Sequence, residues 1–519
     1  MKTKIILSLV IALTAALEAQ PMLATATYVY TGNPFITLAT GPYTMSDRVT
    51  GSVTLASPLA PNLPPTLVTP LAFTFSDGVQ TITNNNATLV QFQFATGPTG
   101  AITEWDVQVN ALGTIFTANI PPFTGTDRED AGFSGTSEGA VDGNQGTWAR
   151  TTSPTVCTWS TTTTGFAWLN ASNWTGNPGH YPGVDANGSS TADGASNDIA
   201  TFSSMAFAAT ILGINFSPSS SNGVSTNTGA NGSLILGAMD YLSTTNKSIS
   251  IGDNSGTAGT LTLTGVTLNG VANTILANEG KNSLTLAPQI GGGTQDMTLA
   301  FGNATNNVVQ VNGTGGITIT TAIENAPGVA ARLTKTGAGR LTLSHANSYT
   351  GVTTVNNGLL VVTNTTGSAT GTARVQVNAA TLGGTGRISG TVTVGTATAA
   401  GVLAPGLGTT PGTLTLLNSV RFNPKSSYKV DANSTSAKVD KVVARGVTIS
   451  SGAQFFFTDH GSGTLPPGKV FTLISNTATT AISGTFANLS EGLIFSVGAN
   501  TYRVSYQGGD GNDLTLTVQ

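Results

Sequence analysis

The phrase Gly-Thr-Leu-Thr-Leu stands at 259–263 and again at 412–416, with Ser-Leu-Thr-Leu at 283–286 and Gly-Arg-Leu-Thr-Leu at 339–343. Near-copies of one short strand phrase constrain the fold more than any other feature of the chain. With Leu341, Leu359, Val375, Val392 and Leu414 as strand anchors, the spacings are 18, 16, 17 and 22. Recurrence at a short period is the mark of a solenoid. A helical repeat needs roughly 33 residues and a propeller blade roughly 40. A period near 18, built of short strands with Gly and Asn corners, predicts a β-solenoid with Leu and Val inward and Thr outward. Over 231–440 it predicts roughly 11 coils and a rod of about 50 Å. Leu341 and Leu359 then hold equivalent inward positions in successive coils, and rows of Asn can form ladders.

Composition agrees with an all-β chain. Only 8% of the 519 residues are charged, against about 25% in ordinary globular proteins. Hydrophobic residues make up 39% and mean hydropathy is +0.12, so low charge here does not signal disorder. The net charge of −4 gives no basic footprint for nucleic acid. A single Cys excludes a disulfide framework and Cys-based metal clusters. Three His, at 180, 345 and 460, leave little for His-based chemistry.

The N-terminus carries Lys2 and Lys4, then an apolar run from Ile5 to Leu17. These are signal-peptide dimensions, too short to span a bilayer comfortably. Ala24-Thr25-Ala26 offers a cleavage site, so residues 1–26 are expected to be a signal peptide and Thr27 the mature start. No later stretch has the length of a transmembrane helix, so no such segment is expected in the mature chain.

Residues 27–150 hold 10 of the 22 prolines and short strand-like runs between turns. Phe73 and Phe75, and Phe92 and Phe94, share strand faces by i, i+2 spacing. An N-terminal β-sandwich-like domain is expected, closed by a polar Gly-rich stretch at 124–146. Residues 151–230 form a loop-rich entry segment anchored by Trp159, Trp168 and Trp174. The solenoid is expected over 231–440. The tail, 441–519, with Phe455-Phe456-Phe457, Phe486 and Leu493–Val497, reads as a β cap over the open end of the rod.

The residues at 333–344, Leu-Thr-Lys-Thr-Gly-Ala-Gly-Arg-Leu-Thr-Leu-Ser, are followed by Asn347-Ser-Tyr-Thr-Gly351, Thr353 and Gly358-Leu-Leu-Val-Val362. Together they resemble the autotransporter-associated β-strand repeat. Phrases at 382–386, 403–406 and 411–414 are similar to those downstream of it in that family, as is the ending 506–516. Trp168, Asn173-Trp174 and Asn197–Phe202 resemble the opening segment of such passengers. The resemblance covers roughly 157–519. It implies a right-handed parallel β-helix exported to the cell surface or medium. A typical member of that family ends in a membrane β-barrel; none is expected within this sequence, which counts against self-translocation. Residues 27–123 resemble β domains of other exported bacterial proteins.

Several constellations invite chemistry. Gly508-Gly-Asp-Gly-Asn-Asp513 resembles a calcium-binding nonapeptide, but it is a single copy with Leu514 and Leu516 out of phase, and such sites need stacked copies. A plain turn is expected there. Asp185, Asn187, Asp193, Asn197 and Asp198 are oxygen-rich but lack the third ligand and closing Glu of an EF-hand. Asp127, Glu129, Asp130, Glu138 and Asp142 are the densest acid group, expected in the closing loop of the first domain. The acids of 231–440 (Asp240, Asp253, Glu279, Asp296, Glu324, Asp431, Asp440) are scattered, against the paired carboxylates a glycosidase needs. His345 is expected at a surface corner and Cys157 as a buried or incidental thiol. Gly383-Gly-Thr-Gly386 opens no helix, so no phosphate loop is expected.

No catalytic, cofactor-binding or metal-binding residue is assigned, and no cofactor. The reading is an exported, non-catalytic structural or adhesive surface protein, secreted or on the cell surface, with the periplasm also open. Its partner would be an unknown surface ligand such as a polysaccharide or cell-envelope component. The alternative is a carbohydrate-active or carbohydrate-binding β-helix protein, including a carbohydrate-binding module at 27–150 if aromatics are exposed on one sandwich face.

Overall fold

The computed structural model describes residues 26–519 apart from 57, 99–100, 112, 121–122, 131–137, 145, 153, 160–167, 177–180, 186–196, 204–210, 217–231, 243–247 and 292–293. The expected signal peptide lies outside the described residues, save Ala26. The chain is all-β. Among the described residues the regular helix is one 3-10 turn, Ala171–Asn173. None of the helices is long and apolar enough to cross a membrane. Two compact units meet in sequence between Ser153 and Pro154.

The first unit packs an antiparallel five-stranded sheet on an antiparallel seven-stranded one. Ala26–Thr31 alternates buried and partly exposed residues, the period-2 signature of a strand with one face in a core. Phe73 and Phe75 from one sheet meet Phe92 from the other, at ring separations of 5.2 and 6.1 Å. Tyr28, Tyr30, Phe35 and Trp105 complete a buried aromatic core. The buried Tyr hydroxyls are satisfied by accepting backbone N–H groups, Leu59 onto Tyr28 and Gly146 onto Tyr30. The stretch read as a closing loop is ordered differently. Phe123–Asp130 and Glu138–Asp142 are paired strands.

The second unit is a parallel β-helix with three walls. Parallel pairing begins with Val156–Trp159 against Ile199–Phe202. The first wall then passes through Ala238–Tyr241, Val271–Asn278, Asn307–Val311 and Leu333–Thr336 to Val447–Ile449. The second runs from Ile211–Ile214 through Ile249–Asp253 and Arg340–Leu343 to Gln454–Asp459. The third is made first of Ser233–Leu236, Gly259–Leu263, Met297–Phe301 and Ile323–Asn325. It resumes with Arg387–Ile388, Thr413–Leu416 and Lys441–Ala444. Gly-Thr-Leu-Thr-Leu forms strands as expected, with Leu261 and Leu263 fully buried and the Thr residues outward.

Register departs from the sequence reading in two ways. Leu341 pairs with Leu360, and it is Arg340 that pairs with Leu359. Leu360 is fully buried, whereas Leu359 is only partly covered on the outer face. After Gly358, at φ +71, four apolar residues follow without alternation, so pattern alone could not choose between the faces. A Cβ at Gly358 would also meet the Gly337 carbonyl oxygen of the coil below at 2.4 Å, so the register is anchored there by a glycine. The period differs as well. One inward column on the second wall reads Ile249, Leu284, Ile317, Leu341, Leu360, Leu382, Leu403, Tyr428 and Phe455. Its steps begin at 35 residues, shrink to 19 at Leu341–Leu360 and return to 27. Eight of its members lie within 231–440, in place of the expected eleven coils, a length of about 35 Å. The near-constant 18 arose because Leu341 sits on the second wall, Val375 and Val392 on the first and Leu414 on the third.

Aromatics cluster near both ends of the second unit. Trp159, Trp168, Trp174 and Phe202 pack edge to face and tilted, with centroids 4.9–6.0 Å apart. At the other end Val470–Asn476 continues the third wall, and Asp513–Val518, Asn500–Gly508 and Ile494–Val497 add an antiparallel meander. Phe486 packs against Phe422, Tyr428 and Phe455, and Tyr502 against Phe457 and Phe495.

Candidate functional site: the repeat and the acids around it

The repeat at 333–362 places several polar side chains in the interior of the rod. Strand alternation puts Leu333 and Lys335 inward, and Lys335 lies in a column between Val309 and Val355. It is fully buried. Its Nζ donates to the carbonyls of Thr336 (2.8 Å), Gly337 (2.7 Å) and, one coil on, Asn357 (3.2 Å). Three acceptors match the three N–H groups of an ammonium. Burial nevertheless lowers its pKa to about 8, so the cation is held at neutral pH by carbonyl dipoles.

Asn347 fills the interval where the third wall has no strand. Its Oδ1 accepts the N–H of Ile323 in the coil below (2.9 Å), and its Nδ2 donates to the Ala369 carbonyl in the coil above (2.5 Å). A side-chain amide thereby substitutes for strand backbone, which a buried edge would otherwise leave unpaired. Tyr349, also fully buried, shares a 2.6 Å hydrogen bond with Thr353, whose hydroxyl also donates to the Thr370 carbonyl. Burial pushes the Tyr349 hydroxyl well above its ordinary pKa. Lys335, Asn347, Tyr349 and Thr353 thus staple successive coils from inside. Lys335 could have been singled out from sequence, as a charge at an inward position of the alternation. The role of Asn347 depends on contacts across coils that no local pattern encodes.

The acids are partly gathered. Asp440 is fully buried and accepts from the N–H groups of Gly412 (2.7 Å) and Asp431 (3.0 Å). Burial above all raises its pKa to about 7, Asp431 adding to the rise and His460 opposing it. Asp431 in turn lies 2.8 Å from His460 Nε2. Two acids that looked scattered are therefore neighbours, although the buried one faces backbone rather than solvent. Asp240 is also buried, with its pKa raised to about 6 by burial and by Glu279. Glu279 accepts from the Asn312 amide.

The other sequence candidates have plain settings. Asp513 accepts from Asn476 N–H at 2.8 Å, fastening the turn that follows Gly508. Asp510 is exposed. Asp198 is buried and accepts from Gly183 N–H, Asn197 is partly exposed, and Asp185 lies on the short strand Val184–Asp185. Asn187 and Asp193 lie outside the described residues. Of the dense acid group, Asp130 pairs with Glu138 and Asp142 with Thr126 across the hairpin, so these acids and Asp127 and Glu129 belong to strands and not to a closing loop. His345 is exposed, with Nδ1 2.8 Å from the Ala346 carbonyl. Cys157 is fully buried. Gly383 and Gly384 end a strand. At Gly384, with φ +112, a Cβ would meet the Val362 carbonyl oxygen at 2.1 Å. The aromatics described above for the first unit lie in its core, and among the described residues its exposed large apolar side chains, such as Ile36, Met45, Leu67 and Leu71, include no aromatic ring.

A three-walled parallel rod carrying this repeat is similar to passenger-type repeat proteins. Residues 333–362 match the passenger-associated-transport-repeat family. The chain is also similar to the extracellular serine protease of Serratia marcescens, 31% identical over 191 residues, which is 36% of this chain and 17% of that protein. The chain thus spans under a fifth of that relative's length. Within the matched repeat, the buried polar side chains Lys335, Asn347, Tyr349 and Thr353 are engaged in bonds inside the rod. Among the described residues no serine hydroxyl is hydrogen-bonded to His460, the His that is paired with an acid.

Proposed function

We propose that this chain is an exported, non-catalytic structural or adhesive element, secreted or displayed at the cell surface. Its rod holds side walls out as a recognition surface for a polysaccharide or cell-envelope component. The observation that supports the reading best is the use of the repeat's signature side chains: Lys335, Asn347, Tyr349 and Thr353 are all committed to bonds between and within coils. The likeness to an extracellular protein supports export. The test has two arms. Protease shaving of intact producing cells should release fragments of the chain, and purified protein should turn over neither casein nor a panel of polysaccharides. Chain confined to the cytoplasm, or measurable turnover lost on mutation of an exposed residue, would overturn the reading.

A further inference from the structure

Charge is distributed very unevenly. Residues 325–458 hold eleven of the 20 basic residues and only two of the 24 acids, although the whole chain is net negative. Of those two acids Asp440 is buried and Asp431 is paired with His460. Lys335 is buried, and the other ten basic residues are at least partly exposed. Low overall charge therefore conceals a basic length of rod.

The first wall arranges part of this charge regularly. Its strands stack in the order of Leu333, Thr353, Val375, Val392 and Val420. Arg332 precedes the first, Arg374 the third, and Arg421 lies on the fifth. Each is exposed, and each is two coils from the next, about 10 Å. Between them the outward column reads Thr334, Thr354, Gln376, Thr393 and Arg421. It contains no acid and no aromatic ring. Arg332, Arg374, Thr334, Val352, Thr354 and Asn306 line one groove. Among the described residues neither the Arg332 nor the Arg374 guanidinium has an ion-pair or hydrogen-bonding partner. Arg421 bonds only neutral groups, Asn423 and Ser450. Guanidinia without a carboxylate partner, on a stretch of wall whose outward column has no acid, are poised for carboxylate or sulfate.

We propose that this wall binds a linear acidic polysaccharide carrying its charges on alternate sugars, laid along the rod axis from Arg332 to Arg421. The arginines take the anionic groups, and Thr334, Thr354, Gln376 and Thr393 take sugar hydroxyls. The two-coil interval suits a polymer of sparse, regular charge. Single-stranded nucleic acid is the poorer fit, because it binds through aromatic stacking platforms and this wall offers none. The inference rests on the proposed surface role and supplies its ligand class.

The test uses the purified full chain with hyaluronan as the acidic probe, neutral dextran and single-stranded DNA as comparators, and titration calorimetry at two salt concentrations. Hyaluronan should bind, more weakly at high salt, and dextran should not. The Arg332→Gln/Arg374→Gln/Arg421→Gln triple variant should lose at least about tenfold in affinity at an unchanged melting temperature. Arg503→Gln, outside the wall, should bind like the wild type. Absence of hyaluronan binding, a triple variant that binds normally, or DNA binding tighter than hyaluronan would each overturn the proposal. Chain-length analysis of hyaluronan after incubation separates the two readings: shortening would overturn the non-catalytic function and leave the binding wall standing.

Discussion

The side chain of Asn488 pairs with both backbone groups of Phe455, accepting its N–H at 2.8 Å and donating to its carbonyl at 2.7 Å. Gln454–Asp459 is the last strand of the second wall, and an uncovered last strand offers its backbone to other chains. Asn488→Leu removes both bonds and leaves two groups without partners, a cost of about 1–3 kcal/mol. The variant should unfold at lower urea and self-associate at micromolar concentration by light scattering. A variant that stays monomeric with an unchanged midpoint would mean that the aromatic cover of Phe486 and Tyr502 closes the rod without it.

The Leu341–Leu360 column separates two adjacent leucines. Leu360→Asp places an unpaired carboxylate in the core and should cost several kcal/mol. Leu359→Asp lies on the partly covered outer face, and its cost should stay within about 1 kcal/mol. Urea denaturation of the two variants decides the register, since the opposite ranking would restore Leu359 to the interior.

Much of this architecture was legible in the sequence. The Leu-Thr alternation fixes strands with one face in the core, and Gly-rich corners with recurring phrases give a solenoid. What could not be read was which wall each phrase joins. Corners of different length separate equivalent residues by anything from 17 to 43 positions, so a mean spacing taken across walls has no structural unit behind it. The staples divide in the same way. Lys335 breaks a local pattern and is visible, whereas Asn347 and the Asp431–Asp440 neighbourhood exist only after coils stack. The basic wall was hidden because a net charge sums over two dissimilar parts of the chain.

Lys335 gives a signed pH dependence. Folded, it releases its proton near pH 8, and unfolded at its ordinary value near 10.5. Between these the unfolded chain holds more protons, so stability rises with pH, by ~3 kcal/mol at most. Wild type minus Lys335→Met should therefore grow more favourable between pH 7.5 and 10 in denaturant titrations. A flat or falling difference would mean that the three carbonyls keep the ammonium at its ordinary pKa.

Asp440 acts in the opposite sense. Its carboxyl stays protonated to about pH 7 in the fold but ionises near 3.8 when unfolded. In that window the folded chain holds the extra proton, so this contribution is complete below pH 3.8 and lost as pH rises through 7, ~4 kcal/mol at most. The melting temperature of wild type relative to Asp440→Asn should fall between pH 5 and 8.

The narrowing of the coils around the repeat has a kinetic consequence. Stacking Leu360 on Leu341 closes a loop of 19 residues, whereas stacking Leu284 on Ile249 closes one of 35. Loop closure costs more as loops lengthen, and each coil needs only its neighbour to be in place. The shortest coils also hold Lys335 and Asn347, whose bonds reach into adjoining coils. Assembly should therefore start inside 333–403 and spread outward in both directions like a zip, the wide coils before it closing last and opening first.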